Sequence, residues 1–512
     1  MAERRPNILL ITTDQQRYDA MGLNGNPIIR TPNMDALAAS GTNFRRCYVS
    51  CPVCIPARRT LLSGQHPETH GLRYYADTLD WDPPHTLPGA LRDAGYQTQL
   101  VGKIHQQPQR KRYGFEHMVL SDSANYRPNS RFQQHNDYTD WLEAQGLGVS
   151  SNAHGIDGNS RLARPYHLEE RYHQTTWLAE QAGRFFDTWR DPSCPWFLHL
   201  SFTAPHPPLT PPQVYWDRYI GRDDLAPVIG QWAPPDDGGR RGVDPTGAAG
   251  PFPPDEIHDA IAGYYGLISH VDDCIRYVIN RYREYATDKS GEPMLIVFSS
   301  DHGEMLGDHH LYRKSLGYDA SARVPFFVTG YNLDVPQGTC DALVGWEDIM
   351  PTILDMAGVE VPDSVDGRSL LPVMRGETEG VRDAIFGQTG NGGTHNRLHN
   401  LWIVNDRFKY LWYPMTPVSC VTCPASTRNC RRCAASWPST PRSAMTWSTT
   451  RPGSPPAPTA RRRSSGPTPE RSGEQSACSQ WHHIQFRIAP MAGRWFTAAS
   501  TTRGRAGEST KA

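Results

Sequence analysis

At 512 residues, the chain is longer than the roughly 250–300 residues that a single hydrophobic core supports. Its charge is unevenly placed: up to Met415 there are 38 Lys and Arg against 50 Asp and Glu, and beyond it 14 against 3. An acidic body argues against broad nucleic-acid binding through phosphates and leaves carboxylates available to hold a cation.

From the N-terminus, Arg4 and Arg5 precede an apolar run, Ile8 to Ile11, that is too short for a signal-peptide core and leads straight into Asp14. No stretch approaches the ~18 consecutive apolar residues of a membrane span, so a cytoplasmic protein without a membrane partner is expected. Asn7 to Thr13 reads as a buried strand. Thr31, Pro32 and Met34 to Ser40, closed by Gly41, predict a helix with Thr31 as N-cap and Gly41 as terminator. Leu87 to Ala94, closed by Gly95, repeats that pattern. Gln97 to Val101, Trp196 to Phe202, Met294 to Phe298 and Val324 to Val328 are apolar on both faces, as strands of a helix-covered sheet must be. Asp255 to Tyr285 is the longest helical pattern, and Trp346 to Met356 forms another. The alternation predicts an α/β sandwich with a mainly parallel sheet. Cys47, Cys51, Cys54, Cys194, Cys274 and Cys340 lack the dense spacing of a disulfide framework and are expected to be reduced.

In such sheets ligands bind beyond the carboxyl ends of the strands. There the sequence places Asp14 after the first strand, Lys103 and His105 after Gln97 to Gly102, His206 after Phe197 to Phe202, and Asp301 and His302 after Met294 to Ser300. Any one of these alone is an ordinary solvated loop residue, but four strand ends deliver charged or imidazole groups to one rim. Between them lies Cys54-Ile55-Pro56-Ala57-Arg58, a cysteine followed by a helix-initiating proline and an arginine one turn on. A helix N-terminus and a nearby guanidinium both favour an anion. Taken alone, Cys54 is equally an ordinary buried cysteine.

Cys54, Pro56 and Arg58 match the cysteine-x-proline-x-arginine signature, and the chain resembles the type I sulfatases. Asp14, Gly102-Lys103-Ile104-His105, Ala204-Pro205-His206, the run Ser300 to His309, Lys314, Asp348 to Asp355 and Asp366 to Leu371 agree in order and spacing. The resemblance covers residues 6 to about 415. It implies an alkaline-phosphatase-like sandwich with a smaller C-terminal antiparallel sheet domain. It also implies hydrolysis of sulfate esters by a metal-bound formylglycine hydrate, made from Cys54 by a maturation enzyme, through a covalent sulfo-enzyme intermediate. Asp14, Gln15, Cys54, Asp301 and His302 would surround one divalent cation, calcium by resemblance or manganese by the imidazole in the set. Arg58 would hold the nucleophile, Lys103 and Lys314 the sulfate oxygens, His206 would protonate the leaving group, and His105 would manage protons on the hydrate. Ile55 replaces the small residue common after the cysteine. Gln15 and His302 stand where many sulfatases have Asp and Asn, as on the choline-sulfatase and phosphonate monoester hydrolase side of the superfamily. A phosphonate monoester or phosphodiester hydrolase using the same site is therefore a second reading. A catalytically inactive binding protein, if Cys54 stays unmodified, is a third.

The expected organisation is a catalytic domain over 1–380, the start of a small sheet domain over 381–415, with strands at Leu401 to Val404 and Phe408 to Tyr413, and a Ser/Thr/Pro/Arg-rich tail over 416–512. The tail has no leucine and no aspartate, a composition that cannot offset ordering entropy and that a shift of reading frame near residue 416 would produce. Its Cys420-x-x-Cys423 and Cys430-x-x-Cys433 could form a zinc module, but the six residues between the pairs are fewer than zinc loops usually have.

Overall fold

The computed structural model describes residues 5–122, 136–233, 243–286, 292–390 and 399–413. Its centre is β1 (Asn7–Asp14), whose eight residues are all buried. Alternate side chains of β1 enter different cores. Leu9 and Ile11 join the cluster under helices 174–184 and Pro254–Ala286, while Ile8 and Leu10 join the one under the helix Ile349–Met356. A strand apolar on both sides is thereby explained, each fully buried Leu or Ile contributing about 1.5–3 kcal/mol.

The remaining strands are β2 (Thr42–Phe44), β3 (Cys47–Tyr48), β4 (Gln97–Gly102), β5 (His117–Leu120), β6 (Trp196–Pro205), β7 (Met294–Ser300), β8 (Arg323–Val324), β9 (Phe326–Tyr331), β10 (Gly338–Cys340), β11 (Val344–Gly345), β12 (Ala384–Thr389), β13 (Asn400–Asn405) and β14 (Lys409–Trp412). The large sheet has the order β10-β2-β9-β7-β1-β6-β4-β5. Strands β7, β1, β6, β4 and β5 are successive parallel neighbours, so their carboxyl ends share one edge. β9 runs antiparallel to β7 and to β2, which makes the sheet mixed at one side. The β1–β6 register slips between Thr12 and Asp14, and Asp14 comes to lie opposite Pro205.

Several local expectations are corrected. The first helix, α1, spans Pro32–Ala39 with Thr31 at its N-cap position, but the Thr31 side chain makes no capping bond: the hydroxyl accepts from the Gly22 amide at 2.9 Å and donates to Asp35 at 3.1 Å. Gly41 serves a close approach instead of a left-handed terminus, since a Cβ there would fall 2.1 Å from the Val328 carbonyl oxygen. Val324 to Val328 is two strands. Pro325, which has no N–H to donate, separates β8, paired with β3, from β9. The segment from Trp346 begins as a 3₁₀ turn to Asp348 before the α-helix Ile349–Met356. The helix Leu87–Asp93 follows its signals, with Thr86 accepting from the Gly89 amide and Gly95 at φ 91°.

Strands β12, β13 and β14 form a separate antiparallel sheet. Trp402 packs on Tyr48 at 5.9 Å, with the Lys409 ammonium over both rings. β12 was not expected, because Ala384–Thr389 is short and carries a glycine. Among the described residues no helix is long and apolar enough to cross a membrane. The tail over 416–512, with its two Cys-x-x-Cys pairs, lies outside the described residues.

Candidate active site

Helix α2 (Cys54–Ser63) is buried along its whole length and ends at Gly64 in the left-handed conformation. Cys54 opens it, and Arg58 sits one turn on. Four ligand atoms, one each from Asp14, Cys54, Asp301 and His302, lie within 4.8 Å of one another, and all four residues are buried. Asp14 arrives from the slipped end of β1, and Asp301 and His302 follow β7 directly. Cys54 Sγ is 3.1 Å from His302 Nε2 and 3.8 Å from Asp14 Oδ1. His302 Nδ1 donates to the Gly303 carbonyl at 3.0 Å, which turns Nε2 towards the two carboxylates at 3.5 and 3.6 Å.

Two buried cations face those carboxylates. Arg58 Nε donates to Asp301 Oδ2 at 3.0 Å and Nη2 lies 3.5 Å from Asp14 Oδ2, while Nη1 donates to the Lys103 carbonyl and to Ser201 Oγ. The Lys103 ammonium pairs with Asp14. Lys103 is aimed by a close approach of β4 to β6: Gly102, at φ 114°, has no Cβ to strike the Ser201 carbonyl, which accepts the Lys103 amide at 2.9 Å.

Burial alone would raise the Asp14 carboxyl, but Lys103, His206, Arg58 and His302 outweigh it and hold the group well below the usual carboxylate range. Burial would lower Lys103, and the Asp14 carboxylate overrides it, keeping the ammonium charged. Burial and the Asp14 charge push the Cys54 thiol up, but Lys314, Lys103 and His302 prevail and bring it below its ordinary value. Burial would also lower His302, but Asp301 and Cys54 outweigh it and bring the imidazole above its ordinary value.

His206 and His105 complete the rim. Burial, then Lys314 and Lys103, push His206 well below the ordinary imidazole value, and its Nδ1 donates to the Pro207 carbonyl at 2.7 Å. His105 is pushed down by burial, Lys103 and Arg58. It is held at φ 52° by its amide bond to Asp122 Oδ1 at 3.0 Å. Lys103, His206 and Asp122 line one cavity of about 70 Å³. Lys314 does not touch the carboxylates; its ammonium donates to Gln15 Oε1 at 2.7 Å. Gln15 is thus at the centre's edge, with its amide oxygen already accepting from Lys314.

Sequence reasoning missed Ser201, Asp122, Glu304 and Tyr264, which bond Arg58, the His105 backbone, and the side chain and backbone of Gln15. Glu304 alone carried a signal, lying inside the Ser300 to His309 run. The six cysteines of the body are free.

Residues 6–359 match the family described as Sulfatase. The chain belongs to that family. The sulfatase match is followed by one to the N-sulphoglucosamine sulphohydrolase C-terminal region over residues 307–418. An arylsulfatase of Clostridium perfringens is 37% identical over 80% of this chain and 86% of its own length. A choline-sulfatase of Rhizobium meliloti is 27% identical over 73% of each. The crystal structure of a phosphonate monoester hydrolase of Agrobacterium radiobacter superposes with a TM-score of 0.66 at 26% identity, over 80% of this sulfatase and 87% of the other chain. The fold is therefore the alkaline-phosphatase-like one, and the protein is a sulfuric ester hydrolase.

The family implies a divalent cation and a formylglycine in general, and the residues present fit both. Two carboxylates and an imidazole, its Nε2 directed inward, are a hard-to-borderline donor set. The residue at position 54 sits against that set at the start of a helix, beside buried cations.

Proposed function

We propose that this sulfatase hydrolyses sulfate monoesters with Cys54 matured to formylglycine by a separate maturation enzyme. One divalent cation, calcium in first place and manganese in second, would be held by Asp14, Asp301, His302, the Gln15 amide oxygen and residue 54. The convergence of Asp14, Cys54, Asp301 and His302 within 4.8 Å carries this reading. A cation there would supply Lewis-acid polarisation. Formylglycine would supply an aldehyde hydrate, whose second hydroxyl allows the transferred group to leave without attack of water on sulfur.

The chain's own residues do the rest. Arg58 neutralises the carboxylate pair and anchors α2 to β7 through Asp301, so residue 54 is presented at a fixed depth. Lys103 and Lys314 offer positive charge to the sulfate oxygens, a preorganised electrostatic contribution of about 3 kcal/mol per well-placed donor. His206 lends its proton to the departing alcohol. Burial first, and Lys314 and Lys103 after it, hold that proton off, and a bound sulfate anion would offset the lysines' share. His105, whose Nδ1 has no partner among the described residues, is free to accept a proton from the nucleophile.

Mass spectrometry of the Cys54 peptide tests the nucleophile, since oxidation removes sulfur and two hydrogens and adds one oxygen. An unmodified cysteine in active protein overturns the reading. Side-by-side turnover of aryl sulfate and phosphonate monoesters tests the transferred group. A large preference for phosphonate would replace sulfate by the second reading, which the Agrobacterium radiobacter structure motivates.

A further inference from the structure

Gln15 is held at every polar atom it has. Its amide N–H donates to Asp301 Oδ1 at 3.0 Å, and its carbonyl accepts from the Tyr264 hydroxyl at 2.6 Å. Its side-chain Nε2 donates to Glu304 Oε2, and its Oε1 accepts from Lys314 at 2.7 Å. The backbone is left-handed, φ 75°, a conformation that costs a non-glycine residue on the order of 1–3 kcal/mol and persists only where surroundings impose it.

Glu304 is the unused member of this arrangement. It is buried, and its other oxygen accepts from the amides of Leu306, at 2.9 Å, and Arg313. With two backbone donors on Oε1, the ionised carboxyl presents Oε2 to Gln15 as an acceptor, which only the NH₂ end of the amide can face. The carbonyl end must then face Lys314. We propose that Glu304 is a positioning residue that fixes the orientation of the Gln15 amide, aiming its oxygen at Lys314 and the metal centre, and that glutamine stands at 15 because a carboxylate there would oppose Glu304.

The inference deepens the proposed metal centre and rests on it for the part concerning the ion. The test is a charge-exchange cycle. In Glu304→Gln the new amide must keep its oxygen on the Leu306 and Arg313 N–H groups, so two NH₂ ends meet and the Gln15 amide turns its NH₂ end towards Lys314. In Gln15→Glu two carboxylates meet. The double exchange, Gln15→Glu with Glu304→Gln, restores every donor to an acceptor at unchanged size.

Thermal midpoints of the four metal-free proteins read the clamp without any ion: each single variant should melt lower, and the double variant should recover most of the loss. Losses that simply add overturn the proposal, as does an unchanged Glu304→Gln. Titration with Mn²⁺ and with Ca²⁺ reads the consequence, with Glu304→Gln weakening the ion by about 10–100-fold, the range for residues that orient a metal ligand. Wild type that binds ion while Glu304→Gln binds it equally well refutes the orienting role. Wild type that binds neither ion refutes the metal centre, and the melting cycle then decides the clamp alone. A residue needed only for folding would not be rescued by the exchange.

Discussion

At the carboxyl ends of β7, β1 and β4 and the start of α2, the protein buries two carboxylates, a lysine, an arginine and an imidazole. On β12 to β14 it does the reverse, leaving Phe386 at 54%, Tyr410 at 63% and Trp412 at 47% exposure. The first region is stable because every charge is met by a partner from another element: Asp14 by Lys103 and Arg58, Asp301 by Arg58 and the Gln15 amide. Its members depend on one another, and removing one strands the rest. The outward aromatic row is instead largely open to solvent. Position, more than residue type, sets what a substitution does here.

The comparison is sharpened first at Asp301. Asp301→Asn takes away the anion that Arg58 and His302 share, and kcat/KM for an aryl sulfate should fall by at least about 10²–10³-fold, the size associated with losing one preorganised group. A loss below about tenfold would break the claim of mutual dependence. Chelation of wild type should abolish turnover and be reversed by Mn²⁺ or Ca²⁺; persistence of full activity in chelator would rule out a metal role. Within the small sheet, Trp402→Ala, which empties the buried side against Tyr48, should lower stability by about 3–5 kcal/mol in denaturant unfolding. Trp412→Ser on the outer side should stay within about 0.5 kcal/mol. Equal effects from the two tryptophans would show that the outer face is covered.

The smallest effect concerns acid. Burial lowers His173 to about 4, against the pull of its bond to the Thr210 carbonyl, and lowers His199 to about 3. Each is neutral when folded and takes a proton below about 6.5 when unfolded, so their contribution is complete above that pH and lost as pH falls towards the folded values. The melting temperature of metal-free protein should decline from about pH 6.5 towards 4. His173→Asn, which keeps a side-chain acceptor for the Thr175 amide, should flatten that decline. An unaltered slope would remove His173 from the account.

Much of the central sheet was legible because β1, β6 and β7 are apolar on both faces and carry their chemistry just past the last apolar residue. Asp14, Asp301 and His302 were legible for the same reason, and Cys54 through the proline and arginine that follow it at the start of α2. Three things were not. The turn of Val324 to Val328 into two strands depends on which neighbour each half pairs with, and sequence does not encode pairing. Thr31 and Gly41 have cap-like identities, yet one bonds to Gly22 and the other accommodates β9, both tertiary demands. Ser201, Asp122 and Tyr264 lie 143, 17 and 249 positions from the atoms they bond, and only folding reveals such partners. For Arg58, expected to hold the nucleophile, the partners its donors reach, Asp301, Ser201 and the Lys103 backbone, are likewise set by the fold.

The pairing of Arg58 and Lys103 with Asp14 and Asp301 bears on the order of assembly. Two positive and two negative side chains compensate one another within the polypeptide, so no external ion is needed to relieve repulsion while the chain collapses. On the proposed metal centre, folding and ion capture would then be separable in time, and protein freed of the ion would keep a shaped receptacle that could be refilled without refolding.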